Sequence, residues 1–583
     1  MPDPDQIERP RAVQISVNQG QFANDIVPDR RTADQVADRS IGRVLSCNGA
    51  RATIGTTMPR TGAATPDAWT IGRMISINLG RSRIVGMVYE IKAVREFWDE
   101  LVDNPVHIEV ELLGEVLEAE GGRTSFQTGI TTYPPVGAIA HRIRAQDLAL
   151  VHDLGSRAGV AIGHLTQDSA IPATVCIDDL LSRHFALVGT TGVGKSSAVS
   201  LLLRKAIAEK PHLRVLILDP HNEYAHAFPD KAVVTDAQSL DLPFWMFRLE
   251  EFADVVFRGR PDADEIDILR EVIAAARARY RKPAAQDFAR DLGSSLLKRP
   301  LDPAARRPAA GGAASSGDAP LPYRMVDALA VLDELMGLHE IRYPRAALRS
   351  LKVRLEALYG DPSYQFMFAR ANMVEGMGQV IGQIFRIPQH GRPICVFQLA
   401  GLPADVVNSV ASVLSRIAFD LAMFSHGGYE VLLLCEEAHR YVPADQSLGF
   451  APTRQAIARI AKEGRKYGAY LGVVTQRPGE LDPTILSQCS TIFAMRLANE
   501  RDQQIIRSAI ADASASTIGF LSAIGNREAI AFGEGVATPM RMRFAELAPH
   551  ELPAMAGGSI LDGLAHREPG LDELVSRLQG ESW

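Results

Sequence analysis

The 583 residues hold only five cysteines, with no Cys-x-x-Cys pair and no His/Cys cluster. That scarcity argues against a zinc site or a disulfide framework as the basis of the fold. Cys395 and Cys435 fall inside apolar strand patterns and read as core residues, and unpaired thiols suit a reducing cytoplasm. A surplus of positive charge is missing as well: 62 Lys and Arg stand against 69 Asp and Glu, a formal net charge of −7. This argues against a surface coated in base for nucleic acid, although a ring can confine its positive charge to a small lumen. The N-terminal residues 1–16 lack a hydrophobic signal region, and no run is expected to reach the apolar length that crosses a bilayer. The expectation is a soluble, cytoplasmic chain whose membrane role, if any, needs a partner.

What is present is ordinary globular composition, 46% apolar and 22% charged, over a length that suggests about three or four domains. The stretch His184–Ile207 organises the rest. An apolar strand ends at Val188, and Gly189-Thr190-Thr191-Gly192-Val193-Gly194-Lys195-Ser196-Ser197 then opens a helix with apolar residues at helical period. Glycines at this spacing let backbone N–H groups turn inward around phosphates, and the helix N-terminus adds partial positive charge. Lys195 is placed to reach the β- and γ-phosphates of ATP, and the Ser196 hydroxyl to ligate Mg2+.

Along the chain, residues 1–36 are polar and read as a flexible arm. From 37 to 150 come short β-branched runs broken by Gly and Pro, the pattern of a small β-barrel or sandwich. Strands alternating with helices over 160–240 and 390–548 predict an α/β core with a parallel sheet. Between them, 241–389 is helical in pattern and reads as an inserted subdomain. Within it, 304–322 is an Ala/Gly/Ser/Pro run that cannot bury a core. The tail, 549–583, is punctuated by Pro and Gly and ends in a helical stretch.

Ligands of open α/β sheets bind at the carboxyl ends of the strands, where most of the chemically suggestive residues fall. VLLLCEEAH places Glu436 to hold Mg2+, directly or through water, and Glu437 to polarise an attacking water. His439 follows, most simply as a structural residue. Gln476, in VVTQRPGEL, ends a neighbouring strand and is a candidate sensor of nucleotide state. His221, Asn222 and Glu223 cluster at a third strand end, where an ordinary turn explains them nearly as well. On the helix PTRQAIARIAKEGRKYG, Ile457, Ile460 and Ala461 face one way, and Arg459, Lys462, Glu463 and Lys466 the other. Arg465 in its final turn is either part of a solvated face or an arginine offered to a neighbouring subunit's phosphate.

RHFALVGTTGVGKS, LDPHNEY, LLLCEEAHRYVP and IAKEGRKYGAYLGVVTQRP, in that order, resemble the HerA family of hexameric DNA translocases, a branch of the FtsK-like RecA-fold ATPases. The likeness covers about 160–545. It implies a RecA-like P-loop core preceded by a β-barrel, with ATP and Mg2+ as cofactors. It also implies a homohexamer around double-stranded DNA, working with a nuclease or a sirtuin-like effector in DNA end processing or antiphage defence. By this resemblance Lys195 and Ser196 bind phosphates and metal, Glu437 is the catalytic glutamate and Gln476 the sensor. Arg465 is then the leading candidate for the trans-acting arginine, and Arg183 the second. Glu436 stands where relatives usually have Asp. The rival expectations are an ATP-dependent assembly scaffold without translocation, and a conjugative or secretion-type pump.

Overall fold

The computed structural model describes residues 40–58, 69–95, 97–118, 123–236, 239–258, 261–281, 320–338, 342–368, 377–400, 402–509 and 521–553. The expected arm, most of the 304–322 run and the expected helix of the tail lie outside these residues. The chain divides into two compact units, 1–144 and 145–583.

In the first unit the β-branched runs pair as antiparallel strands: β1 (Ser40–Cys47), β2 (Arg51–Met58), β3 (Met74–Asn78), β4 (Ser82–Ala93), β5 (Asn104–Glu118), β6 (Thr124–Gln127) and β7 (Ile139–Arg142). The order β2-β1-β7-β3-β4-β5 closes on itself through β2–β5 pairing, so six strands make a barrel and β6 is appended to β5. Alternation explains the closure. Along β5, Asn104, Val106, Ile108 and Val110 are buried while their neighbours are half-buried, and the inward set joins Val44, Ile54, Ile77, Ile84 and Val88 in one core. The β4–β5 connection carries exposed Phe97, Trp98 and Leu101. Buried Asn104 ties that connection down, donating to Asp99 O (2.7 Å) and Val102 O (3.2 Å) and accepting from Asp99 N (3.0 Å).

The second unit is built on an 11-stranded sheet. Its strands are β8 (Val160–Leu165), β9 (Pro172–Val175), β10 (Phe185–Val188), β11 (Leu213–Asp219), β12 (Ala232–Thr235), β13 (Ile394–Gln398), β14 (Glu430–Cys435), β15 (Ala469–Thr475), β16 (Thr491–Ala494), β17 (Glu528–Gly533) and β18 (Met540–Phe544). Seven, in the order β12-β13-β11-β14-β15-β10-β16, are parallel. β17, β18, β8 and β9 extend the sheet antiparallel, so it is mixed rather than wholly parallel. The central strands β10, β11 and β15 are buried at every position, as continuous apolar runs covered on both faces must be. The first residues of the apolar stretch ILSQCSTIFAMRL are not strand. Pro483–Gln488 is a short helix, started by Pro483 and by Asp482 accepting from Thr484 N (2.8 Å), and β16 begins only at Thr491.

Seven helices carry the argument: α1 (Lys195–Glu209), α2 (Leu249–Phe257), α3 (Ala263–Arg281), α4 (Met325–Gly337), α5 (Arg345–Gly360), α6 (Ala404–Phe424) and α7 (Ala451–Glu463). α2 to α5 occupy the sequence between β12 and β13. One continuous apolar core joins their Phe252, Leu269, Leu332 and Leu355 to Leu216 and Leu433 of the sheet and to Val410 and Leu414 of α6. Contrary to the sequence expectation, one run does reach membrane-spanning length: Val406–Phe424 is 19 residues long and apolar enough by composition. Its most apolar window is 72% buried inside the protein, so it is a core helix.

α6 also holds a buried ion pair. Arg416 donates to Glu251 of α2 through Nε (3.2 Å) and a terminal nitrogen (2.9 Å), and Ser412 Oγ donates to the same carboxylate (2.8 Å). The carboxylate further accepts from Arg248 N (2.8 Å), closing the N-terminus of α2. Removing one member strands a buried charge. Arg416→Ala is therefore expected to lower stability by about 3–5 kcal/mol, and the neutral pair Glu251→Gln/Arg416→Met by much less. Urea unfolding of the three proteins checks this, and equal losses would show that the charge is not what matters.

Candidate active site

β10 leaves the sheet at Val188, and the loop that follows is tethered on both sides. Gly189 N donates to Thr475 O at the end of β15 (3.3 Å), and Thr190 N to Arg496 O just past β16 (2.9 Å). A third tether runs from Arg527 N to Val193 O (2.9 Å). Glycine is required at 189 because a Cβ there would lie 2.8 Å from Met495 Cβ. It is favoured at 194, where φ is +97°, a left-handed conformation that opens α1. Gly194 brings no side-chain cap, so the first N–H groups of α1 remain for a ligand. Lys195 is buried, and its Nζ donates to Thr190 O (3.2 Å) across the mouth of the loop.

The acids come from two further strand ends. Asp219 closes β11 and accepts from the N–H groups of His221 (3.3 Å), Glu223 (3.2 Å) and Tyr224 (2.9 Å), so DPHNEY is a tight turn wound on one carboxylate. That turn aims Glu223 at Ser196, whose hydroxyl donates to the Glu223 carboxylate. Tyr224, fully buried, donates to Glu436 Oε2 (2.5 Å). The longer side chain of Glu436 is thus accommodated by a buried phenol. Burial pushes the Glu436 carboxyl up to about 8, against the Tyr224 hydrogen bond that favours its charged form.

Glu437 sits in a left-handed conformation, φ +51° and ψ +48°, rare for a residue with a side chain and worth on the order of 1 kcal/mol of strain. Its side chain is buried and its Oε2 has no hydrogen-bond partner. Two imidazoles flank it: His439 Nδ1 is 3.3 Å from Oε2, and His221 Nε2 is 4.0 Å from Oε1. Gln476, half-buried, follows Thr475, the residue whose carbonyl holds Gly189. The structure thus brings together Lys195, Ser196, Glu436, Glu437 and Gln476 at adjoining strand ends.

It does not bring Arg465 or Arg183 there. Arg465 is exposed in the 3-10 turn Gly464–Lys466 that precedes β15, and Arg183 lies two residues before β10. They lie at the amino ends of β15 and β10, whose carboxyl ends carry Gln476 and the phosphate loop, a strand length of roughly 23 Å and roughly 13 Å away. Arg183 is paired with Glu534. Buried His184, next to Arg183, accepts from Leu471 N (3.0 Å) through Nδ1, which leaves Nε2 to donate to Ala461 O (3.1 Å). Both nitrogens are used by the neutral ring, and burial lowers its pKa to about 4. The unfolded ring takes up its proton near 6.5 while the folded ring does not. The stability His184 contributes is therefore full above 6.5 and lost as pH falls from 6.5 towards 4. The advantage of the parent over His184→Gln should shrink by about 2 kcal/mol between pH 7.5 and pH 5. An advantage that stays constant in urea unfolding at the two pH values would show that the ring is not held neutral.

A nucleotide and Mg2+ fit these residues. The uncapped helix start and Lys195 suit phosphates, and the Ser196 hydroxyl with the Glu223 and Glu436 carboxylates are the hard oxygen donors that Mg2+ takes. Among the described residues there is no cluster of three or more His, Cys, Asp or Glu forming a metal cage. Mg2+ needs none when it shares its shell with water and phosphate. Sequence reasoning passed over Tyr224, whose signal was its place in the DPHNEY turn. It also passed over Arg496 and Arg527, which have no local signal because they reach the loop from more than 300 residues away in the chain.

Residues 160–418 match the model of the central domain of the helicase HerA. The chain is similar to the DNA double-strand break repair helicase HerA of Pyrococcus furiosus, 24% identical over 491 residues that cover 77% of this chain and 79% of that protein. It is also similar to the probable HerA of Methanocaldococcus jannaschii, 25% identical over 400 residues, 65% of this chain and 75% of that one. Among solved structures, VirB4 of Thermoanaerobacter pseudethanolicus superposes with a TM-score of 0.47 and 16% identity, over 69% of this chain and 99% of that chain. The plasmid coupling protein TrwB in complex with ADP and Mg2+ gives 0.41 and 12%, over 71% of this chain and 96% of that one. The phosphate loop, the paired acids and the glutamine-bearing strand thus stand together in a chain whose residues 160–418 match the HerA central domain and which is similar to HerA helicases along most of its length.

Proposed function

We propose that this ATP-hydrolysing enzyme is a double-stranded DNA translocase that works as a ring of six protomers, with ATP held between neighbours. One observation carries the reading: the phosphate loop and its acids stand at the carboxyl edge of the sheet, while Arg465 and Arg183 stand at the amino edge. Arg465 or Arg183 can then reach a transferring phosphate only from another protomer.

In each site Lys195 and the α1 N-terminus hold the β- and γ-phosphates. Ser196, with Glu436 directly or through water and Glu223 beside it, would hold Mg2+, which would supply charge neutralisation at the phosphates. Glu437, its Oε2 unpaired, accepts hydrogen from the attacking water, and Gln476 bonds that water or the γ-phosphate. DNA is held through its phosphates by the helical segment and by loops facing the lumen, so binding is independent of sequence and weakens with salt. The compartment is the cytoplasm, in keeping with free cysteines throughout the described residues.

The effector, a nuclease or a sirtuin-like enzyme acting in DNA end processing or antiphage defence, docks on the barrel through the braced connection bearing Phe97, Trp98 and Leu101. Duplex DNA should stimulate ATP turnover by the full chain and drive displacement of a triplex-forming strand, with a hexamer-sized particle in solution. Phe97→Asp/Leu101→Asp should keep all three properties and lose effector binding. Turnover indifferent to DNA, with no displacement, would leave an assembly scaffold instead.

A further inference from the structure

His439 was expected to be a structural residue, yet it stands between the two groups that the reaction most needs to coordinate. Its Nδ1 lies 3.3 Å from Glu437 Oε2 and 3.0 Å from Thr475 Oγ1. Thr475 ends β15, is fully buried, and immediately precedes Gln476. Its hydroxyl oxygen already accepts from Arg477 N (3.0 Å), which leaves the hydroxyl hydrogen for His439 Nδ1. In that arrangement Nδ1 is an acceptor and has no hydrogen to offer Glu437, in agreement with Oε2 standing unpaired. A second arrangement is available at the same positions. With the ring hydrogen on Nδ1 and the Thr475 hydroxyl turned away, the imidazole donates to Glu437 and restrains the carboxylate.

We propose that His439 is a positioning residue whose Nδ1 is shared between Thr475 and Glu437, so that the water-activating acid and the loop carrying Gln476 shift together. The linkage is short and buried: Thr475 is inaccessible and the His439 side chain only 14% exposed. Burial lowers the His439 pKa, which keeps the ring neutral and able to alternate between acceptor and donor at Nδ1. The same Thr475 bonds Gly189 N through its carbonyl, so a displacement at the phosphate loop reaches His439 through two hydrogen bonds, and Glu437 through its 3.3 Å contact with Nδ1. This rests on reading Glu437 as the acid that activates water.

The test uses the full chain with ATP, Mg2+ and duplex DNA. His439→Ala and Thr475→Val should each lower kcat on the order of 10- to 100-fold through misplacement of the acid, with KM for ATP and nucleotide affinity close to those of the parent. The double variant should be no slower than the worse single one, because both cut the same link. Thr475→Ser, which keeps the hydroxyl, should restore turnover, and His439→Asn, which keeps a polar group near Nδ1, should be faster than His439→Ala. Unchanged kcat in Thr475→Val, losses that multiply in the double variant, or a loss confined to nucleotide affinity would overturn the proposal. Glu437→Gln separates the two levels. If it is inactive while Thr475→Val is normal, only the positioning role falls. If it turns over like the parent, the reading of Glu437 falls and the positioning role with it.

Discussion

Arg465→Ala protomers are expected to hydrolyse ATP on the order of 10³- to 10⁵-fold more slowly than the parent, and to regain turnover when mixed with Lys195→Ala protomers. Arg465 follows Gly464, which packs so closely on the start of β15 that a Cβ there would lie 2.2 Å from Ala469 O. The turn is fastened to the amino edge of the sheet through His184, which bonds both Ala461 O and Leu471 N. Neither hydrogen bond allows the guanidinium to travel the length of β15 to its own phosphate loop.

In a mixed ring, an Arg465→Ala protomer offers an intact phosphate loop and a Lys195→Ala protomer an intact arginine, so some interfaces regain both. Each variant alone has none. Absence of recovery at every mixing ratio would leave Arg465 a structural residue. The same mixing with Arg183→Ala tests the second arginine, whose pairing with Glu534 must first be broken. Both members of that pair are more than a third exposed, so the pair itself is a weak restraint.

The second large effect concerns Glu437→Gln. Replacing the carboxylate with its amide removes the acceptor for the water's hydrogen while keeping shape, so turnover should fall on the order of 10²- to 10⁴-fold. Nucleotide should still bind, because Lys195, the α1 N-terminus and Ser196 are untouched. Stability should hold or rise, since the parent buries an acid with an unpaired oxygen. Nucleotide titration, turnover and thermal unfolding read the three separately. Turnover within a few-fold of the parent would remove Glu437 from the mechanism. Lost nucleotide binding would make it part of the phosphate cradle.

Much of this was open to reading along the chain. The phosphate loop is contiguous, and its glycines, lysine and hydroxyl act on one ligand from one segment, so spacing carries the chemistry. The twin acids and the glutamine each end an apolar run, and parallel strands present such ends together. The six-stranded barrel was legible as a class from short β-branched runs, though its closure through β2 and β5 was not, because pairing partners leave no local mark. The run Val406–Phe424 was passed over as long and apolar enough to span a bilayer; composition alone cannot separate a buried helix from a spanning one, and packing shows it to be buried.

By itself, then, the order of residues determined a P-loop ATPase core, where its strands end, and the phosphate-binding segment, since each rests on neighbours in sequence and on the period of apolar positions. Tertiary structure decided the rest. It joined Ser196 to Glu223 and Tyr224 to Glu436, turned His439 towards both Glu437 and Thr475, and set Arg465 and Arg183 on the edge away from the phosphates. The reason is that hydrogen bonds between residues tens or hundreds of positions apart depend on which strands lie side by side. That neighbourhood is set by burial of the whole sheet and not by any one segment.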